Sequence, residues 1–420
     1  MGSESALSEV EWLTEALRWA ALSSLLLFPV AAVAQGTLLS RVITAVRENV
    51  EHLPNYTCTM VVSRSHRPVT SKAFHPVDKV RLEVAMVDNQ ELHAWPGSRR
   101  FEEQPIYHLL GDGMIGTGDF GLFLQTVFLS GTARFQVGGR ETLNDRQVYR
   151  FLYEVPRALS RYETQLPTSK DTVGFGGSVW IDAVSLDLVR LEILVREIPA
   201  HLVLTSGRIV IDYGRMRVGS GDFLLPRSVE QSFVSSGMEA RNQTSFSGCR
   251  EYSTDSAISF AGAEKMTGRQ QADKPEPLPL EVPAGTEIES KLDTQFDSEL
   301  VARGDPFEAT VTATVRLKGE VLVPKGTKIG GRVSGIVRSE DPYPCIGLIL
   351  QPAWIEFQGR QGAFAADQIS LPYVNPSRVA HDLCPFVAEP GSAVLSFHGS
   401  TFHITAGQPI LWRTVKQDEQ

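Results

Sequence analysis

The sequence lacks the short signatures of common hydrolases, metalloenzymes and redox proteins. It contains no H-E-x-x-H and no G-x-S-x-G, so neither a zinc protease nor an α/β-hydrolase nucleophile is indicated. No C-x-x-C occurs, so a redox-active dithiol or a zinc ribbon has no support. We therefore predict a protein that is not an enzyme and has no cofactor or metal. A hydrolase whose site is assembled in space remains a distant alternative, because a triad needs no local signature.

Positive charge is also in short supply. Lysine and arginine number 40 against 49 aspartates and glutamates, which gives a net charge of −9. Such a field opposes a general affinity for nucleic acid or for anionic membrane surfaces. The composition therefore predicts no nucleic-acid partner.

Long apolar runs are absent except for one near the start, at Trp19–Val33. It follows Arg18 and ends at Ala32-Val33-Ala34-Gln35, which is the order of a secretory signal with cleavage after Ala34. The run is short for a bilayer span of about 20 residues. We predict a signal peptide at 1–34 and a periplasmic or outer-envelope location. The alternative is a single uncleaved membrane anchor.

Cysteines are few, and their number is even. Cys58 and Cys249 lie near the two ends of the first folded region, while Cys345 and Cys384 both lie in the last third. Four cysteines allow three pairings. We favour Cys58–Cys249 and Cys345–Cys384, which keeps each disulfide within one domain and suits an oxidising compartment. Four free thiols would be expected only in a cytosolic protein.

What the chain has in quantity is short β-branched and aromatic segments. An amphipathic helix, with a stripe that includes Val42 and Val46, is indicated at Leu39–Leu53. Ten strand-like segments then follow between Tyr56 and Phe246, among them Leu188–Arg196, and Asn144-Asp145 is a hairpin signal between two of them. Neighbouring strands at this spacing predict an antiparallel meander. The stretch 261–281 is polar and rich in proline and reads as a linker. The fold prediction is mainly β (α+β), with an antiparallel half-barrel sheet and covering helices at 35–260, then a small β-barrel at 282–420.

In the barrel region, several further segments look like strands. Among them are Ile346–Leu350 and Ala353–Phe357.

One helix interrupts the predicted meander and carries an apolar stripe. The stripe recurs at i, i+3, i+4, i+7 and i+8, and its members are Phe120, Phe123, Leu124, Val127 and Phe128. A half-open sheet must bury its apolar face against a helix or a ligand. The stripe thus predicts either a sealed core or a hydrophobic groove for an acyl chain or lipidated peptide.

Two patterns are weaker signals for chemistry. Gly116–Gly121 satisfies G-x-G-x-x-G, and Glu141 lies at a suitable distance for a ribose ligand, but the flanking strands do not form βαβ units. His381-Asp382-Leu383-Cys384 brings three potential metal ligands together, yet a zinc site needs a fourth group and a free thiolate. We interpret the first as a turn that leads into the covering helix and the second as structural.

Three resemblances follow from particular residues. Ser178-Val179-Trp180-Ile181-Asp182, followed by Leu188-Val189-Arg190-Leu191-Glu192, resembles the periplasmic half-barrels of lipoprotein carriers and stress sensors of the LolA and RseB type. Val282–Ile288 and Val321–Val333, in each of which Pro-x-Gly-Thr predicts a tight turn, resemble the C-terminal barrel of conjugal-transfer scaffold proteins of the TrbI type. Leu53–Cys58 and Gly116–Gly121 are similar to uncharacterised exported proteins of the acidobacterial type.

These patterns predict a non-enzymatic envelope protein. Its half-barrel would bind or sense a hydrophobic or lipoprotein ligand, and its second domain would make contacts with other envelope proteins. The alternative is a purely structural component of an envelope or secretion-type assembly. A continuous apolar groove beneath the covering helix would distinguish the two.

Overall fold

The computed structural model describes residues 36–87, 90–98, 101, 106, 109, 122–166, 169–252, 281–340, 343–369, 384 and 386–416. Several predicted features lie outside these residues: the signal peptide at 1–34, residues 261–280 of the linker, the Gly-rich stretch at 116–121, and residues 381–383.

Strands form most of the described chain. Up to residue 252 the elements are, in order, α1 (36–51), β1 (Tyr56–Pro68), β2 (His75–Val87), β3 (Gln90–Ala94), α2 (Leu122–Leu124), a π-helical turn (Gln125–Leu129), β4 (Arg134–Leu143), β5 (Arg146–Val155), a 3₁₀ turn (Arg157–Leu159), β6 (Glu163–Leu166), β7 (Ser169–Thr172), β8 (Gly174–Asp182), β9 (Leu188–Arg196), β10 (Leu204–Val218), β11 (Gly221–Ser235) and β12 (Met238–Glu251).

The remaining elements are all strands. They are β13 (Glu287–Leu292), β14 (Phe296–Asp297), β15 (Pro306–Val311), β16 (Val315–Leu317), β17 (Glu320–Val323), β18 (Lys328–Ser339), β19 (Cys345–Phe357), β20 (Arg360–Ala363), β21 (Ala366–Gln368), β22 (Ala393–His398), β23 (His403–Ile404) and β24 (Pro409–Thr414). The predicted mainly β (α+β) class, with large antiparallel sheets and few helices, is confirmed.

The described chain divides into two compact units. The first comprises residues of Met1–Pro54 and Gly118–Ser236, and the second comprises residues of Asn55–Thr117 and Gly237–Gln420. The domain boundaries drawn from the sequence, 35–260 and 282–420, stay a prediction.

The first unit is built on six antiparallel strands in the order β11-β10-β9-β8-β5-β4. Alternate residues of these strands point into one core, as the two-residue period requires. Its largest fully buried side chains are Phe123, Phe151, Phe175, Ile181, Leu188, Leu191, Ile193 and Ile209. The predicted hairpin turn at Asn144-Asp145 joins β4 to β5, and both residues have positive φ, 50° and 62°.

Helix α1 packs in the first unit through the stripe predicted for it. Val42 and Val46, one turn apart, are both buried. Asn49 fastens the end of the helix to β11, because its amide donates to the Leu224 carbonyl at 3.1 Å and accepts from the Leu224 N–H at 2.8 Å. The helix is thus held by both apolar burial and a paired hydrogen bond.

The second unit contains two sheets. One has the order β3-β2-β1-β12, and the other, here called the C-terminal sheet, has the order β20-β19-β18-β15-β13-β24-β21 with β22 beside β19. The N–H of Gln368 in β21 donates to the Ser392 carbonyl next to β22 at 3.1 Å, which places β21 close to the strand that pairs with the first half of β19. Its core centres on Trp412, which stacks on Phe307 and meets Phe364 edge to face.

The two Pro-x-Gly-Thr segments form matching turns, as their residues predict. Gly285 and Gly326 adopt φ of 85° and 88°, a region that other residues resist. In both turns the threonine hydroxyl donates to the proline carbonyl at 2.7 Å, Thr286 to Pro283 and Thr327 to Pro324.

Two segments that were predicted as separate strands form one strand. Ile346–Leu350 and Ala353–Phe357 form a single strand, β19, which runs through Pro352. The register between β18 and β19 shifts beside this residue, between Gly330 and Gly331. Proline is tolerated in a strand where a bulge removes the need for its missing N–H. The prediction of two strands is therefore wrong.

Candidate functional site

The stripe predicted for the covering helix lies on a short helical segment of the first unit, Leu122–Leu129, which we call the cover segment. Phe123, Leu124, Val127 and Phe128 are 1%, 7%, 1% and 3% exposed. Phe120, the fifth predicted member, lies outside the described residues. The four described side chains therefore all face the interior.

The cover segment departs from a regular α-helix. After Leu122–Leu124 the chain takes π geometry over Gln125–Leu129, with the Ser130 N–H bonded to the Gln125 carbonyl at 2.8 Å. The Ser130 hydroxyl donates to the Thr126 carbonyl at 2.6 Å, and Gly131 then turns the chain with φ of 72°. π turns are uncommon and occur frequently at functional sites. The i, i+3, i+4 pattern did not reveal this geometry.

Beneath the cover segment lies a layer of aromatic rings from three neighbouring strands and from the residue that precedes β6. Phe123 meets Tyr162 and Phe175 edge to face at 5.1 and 5.7 Å between centroids. Phe128 lies 5.9 Å from Phe135. Edge-to-face pairs at these distances are favourable beyond their buried area. We call Phe135, Tyr153, Tyr162 and Phe175 the aromatic layer.

The aromatic layer is continuous across β4, β5 and β8. Phe135 contacts Tyr153 at 6.2 Å between centroids, and Tyr153 contacts Phe175 at 6.2 Å. Burial, followed by the nearby Tyr213 and Glu192, raises the pKa of the Tyr153 phenol well above its ordinary value. The phenol therefore stays protonated and donates to the Glu192 carbonyl at 2.9 Å. The layer presents rings without introducing a charge.

Sequence reasoning did not single out the aromatic layer. Phe135, Tyr153 and Phe175 lie on β4, β5 and β8, and Tyr162 directly precedes β6. The pairing of β4, β5 and β8 brings the first three rings together under one helical turn. The available signal was the aromatic content of these strands, which is equally typical of an ordinary core. Pairing partners are not readable from the local pattern.

Both disulfides have the partners favoured from the sequence. Cys58–Cys249 joins β1 to β12 where their register shifts, and it links residues 191 apart in sequence. Cys345–Cys384 ties the start of β19 to a residue 39 positions later. Each disulfide lies within the second unit, so the chain is cross-linked there twice.

The weaker chemical patterns do not assemble into a site within the described residues. Glu141, the potential ribose ligand, accepts a hydrogen bond from the Trp180 indole. His403 faces Asp297 at 3.6 Å, and Cys384 is oxidised. Among the residues that the structure describes, no group of three or more metal-binding side chains occurs. In the same residues, no helix is long and apolar enough to cross a membrane.

A small cavity of the first unit lies between α1 and the β8–β9 and β10–β11 turns. It measures about 270 Å³ and is lined by Val46, Asn49, Asp187 and Arg215 among others. Arg215 bonds both oxygens of Asp187, at 2.6 and 3.1 Å, and this raises the pKa of the guanidinium. The arginine that lines the cavity is therefore already paired with a carboxylate of the protein itself.

Comparison with known proteins gives only slight likenesses. No protein-family model matches the chain, and no curated protein matches it. A putative outer membrane lipoprotein-sorting domain from Vibrio parahaemolyticus is similar over 50% of this chain and 90% of its own, at 11% identity and a TM-score of 0.28. A LolA-superfamily protein from Nitrosomonas europaea is similar over 50% and 93%, at 11% identity and a TM-score of 0.26.

A third likeness spans more of the chain. The MucA/MucB complex of Pseudomonas aeruginosa is similar over 90% of this chain and 93% of its own, at 11% identity and a TM-score of 0.18. The class named by the N-terminal resemblance is thus among the similar structures. At TM-scores this low, the matches establish neither a shared fold nor a shared function. The TrbI-type and acidobacterial-type resemblances stay predictions.

Proposed function

We propose that this protein is a non-enzymatic envelope protein whose first unit binds the acyl chain of a lipid or lipoprotein. The ligand would lie between the cover segment and the aromatic layer. The C-terminal sheet would make contacts with other envelope proteins. The negative net charge opposes nucleic acid as a partner.

The observation that supports this proposal is the construction of the cover segment. It is eight residues long, and four of its apolar side chains are buried, two of them against aromatic rings. Ser130 and Gly131 end the segment, and we propose that the chain bends there when the segment lifts. Lifting so short a segment exposes an apolar slot without breaking strand pairs of the six-stranded sheet.

The free energies of burial allow an acyl chain to replace the contacts between the cover segment and the aromatic layer. Burying each of the four side chains contributes roughly 1.5–3 kcal/mol, and each buried methylene of an acyl chain contributes roughly 0.8 kcal/mol. On the order of ten methylenes would therefore replace the contacts that the cover makes. Acyl chains of ordinary membrane lipids exceed this length.

A second candidate is the purely structural one. All four described members of the stripe are buried, which is what a permanently closed core also requires. In that case the aromatic layer would only stabilise the first unit, and both units would serve as scaffold.

Native and denaturing mass spectrometry of the protein recovered from the envelope separates the candidates. Under the proposal, the native mass exceeds the polypeptide mass, and the excess dissociates as lipid on denaturation. A bare polypeptide mass, with two disulfides intact, would instead favour the structural candidate.

Phe123→Ala tests whether the cover segment forms the ligand site. We expect the lipid-bound fraction to fall on the order of tenfold, since a lost aromatic contact is worth roughly 1.5 kcal/mol or more. The matched control is Phe307→Ala in the C-terminal sheet, because both phenylalanines are 1% exposed. Each variant should lose about 3–5 kcal/mol of stability. Unchanged lipid in Phe123→Ala, or equal loss in both variants, would rule out this site.

A further inference from the structure

The second unit carries a basic and apolar surface at the end of the β1–β2 hairpin. It includes the loop between the two strands and the start of β12. The start of β12 lies beside the end of β1, where Met238 pairs with Pro68. We call this surface the basic tip; its members are Arg67, Val69, Lys72, Phe74, Val77, Met238 and Arg241.

Two arginines of the basic tip enclose one aromatic ring. The guanidinium carbons of Arg67 and Arg241 lie 4.3 and 3.9 Å from the centroid of Phe74. Such cation–π contacts hold the guanidinium groups in place while leaving their charge intact. The two positive charges are therefore positioned by the hairpin loop itself.

The positive charge of the basic tip is only partly compensated. Glu239 forms an ion pair with Arg67 at 2.6 Å. The buried Nε of Arg241 has no hydrogen-bond acceptor among the residues that the structure describes. Lys72 is exposed in the loop between β1 and β2. The tip thus carries an excess of positive charge on a chain whose net charge is −9.

Apolar side chains are exposed at the same end of the hairpin. Val69, Val77 and Met238 are 51%, 48% and 38% exposed. Val69 is anchored next to β12, because its N–H donates to the Gly237 carbonyl at 2.9 Å. Exposed apolar groups beside basic ones are typical of surfaces that meet the headgroup region of a bilayer.

We propose that the basic tip docks the protein on an anionic phospholipid surface. Lysine and arginine would contact headgroup phosphates, while Val69, Val77 and Met238 would enter the boundary between headgroups and acyl chains. Separate, exposed valine and methionine side chains suit a fluid lipid surface better than a folded protein partner. This docking is independent of the acyl-chain site in the first unit.

Sedimentation with vesicles tests this proposal on the full chain. Vesicles of phosphatidylcholine with one quarter phosphatidylglycerol are compared with pure phosphatidylcholine. We expect extra binding to the anionic vesicles, and this increment should disappear at high salt. Lys72→Glu should reduce this extra binding at least about fivefold. Val69→Ser should also reduce the extra binding, and the two substitutions together should reduce it more than Lys72→Glu alone.

The matched control is Lys325→Glu, an exposed lysine in a turn of the C-terminal sheet that undergoes the same change of charge. Unaltered thermal unfolding would show that Lys72→Glu and Val69→Ser remain folded. The proposal is overturned by equal binding to both vesicle types, or by equal loss in Lys72→Glu and Lys325→Glu. Binding to polyglutamate as strong as to anionic vesicles would also overturn it, by pointing to an acidic polypeptide.

Discussion

At the residue scale, Asp182, the last residue of the segment that resembles the LolA and RseB half-barrels, stabilises a turn. Its carboxylate accepts the N–H groups of Val184 and Ser185, at 2.8 and 2.9 Å, in the turn between β8 and β9. The Ser185 N–H, and then that of Val184, lower the pKa of this carboxyl. The turn also holds Leu186 at a φ of 62°, which a leucine adopts only when its neighbours enforce it.

We therefore expect Asp182→Ala to reduce the free energy of unfolding by about 1 kcal/mol through lost hydrogen bonds. Because the folded-state pKa is lowered, the advantage of aspartate is present above pH 3.8 and is lost as the pH falls through the folded-state pKa. Denaturant unfolding at several pH values measures this. Asp182→Asn keeps one acceptor oxygen and should lose less, so a larger loss in the asparagine variant would contradict the assignment.

At the element scale, the cover segment and the strands beneath it illustrate two kinds of constraint. The strands are held by continuous backbone pairing, whereas the cover segment is held mainly by side-chain packing on the aromatic layer. The β1–β12 pair has a third constraint, since Cys58–Cys249 cross-links it at the register shift. Loss of a cross-link acts mainly on the unfolded chain, whose freedom increases with the length of the closed loop.

Removal of the two disulfides in turn should therefore have unequal effects. Chain entropy predicts a cost of about 5 kcal/mol for Cys58→Ala with Cys249→Ala, and about 4 kcal/mol for Cys345→Ala with Cys384→Ala. The reason is that the first disulfide spans 191 residues and the second spans 39. Urea unfolding of both double variants compares them directly. A smaller cost for the longer loop would mean that strand pairing already restricts it.

At the scale of the whole molecule, the segment 303–305 of the second unit connects the two sheets of that unit. The Arg303 N–H donates to the Lys79 carbonyl, and the Arg81 N–H donates to the Arg303 carbonyl, both at 2.8 Å. On the other side, the Gly304 N–H donates to the Val333 carbonyl at 2.8 Å.

Side chains reinforce this connection. The guanidinium carbons of Arg303 and Arg332 lie 5.5 and 5.2 Å from the centroid of the Trp95 ring. Arg81 forms an ion pair with Asp305. Burial raises the pKa of the Asp305 carboxyl, against the opposing effects of the Ala302 N–H and Arg81.

Gly304→Ala should uncouple the two sheets of the second unit. A Cβ at this position would meet the Arg81 carbonyl and the Trp95 ring, and φ is 98°. The control is Gly326→Ala, where φ is 88° but no atom lies within 4 Å, so only the backbone cost of about 1–2 kcal/mol applies. Calorimetry should resolve a separate, earlier transition in Gly304→Ala alone. A single shared transition in both variants would contradict this role.

Much of the secondary structure was predictable because it depends on local periodicity. Strand β9 was predicted with the bounds that the structure shows. The apolar stripe of α1 was also predicted, and its members Val42 and Val46 are buried. The hairpin β6–β7 and strands β13, β15 and β24 were not predicted. Their residues alternate weakly, and their pairing partners are distant, as for β13 with β24.

By itself, the sequence determined the mainly β class, the helical stripe, the Pro-x-Gly-Thr turns and the residue types available for two disulfides. These follow from short-range rules of period, φ preference and cysteine number. Only the tertiary structure decided which strands lie side by side, that aromatic rings collect beneath a π-helical cover segment, and that Arg67 and Arg241 share Phe74. Such contacts join residues far apart in the chain, so no local pattern encodes them.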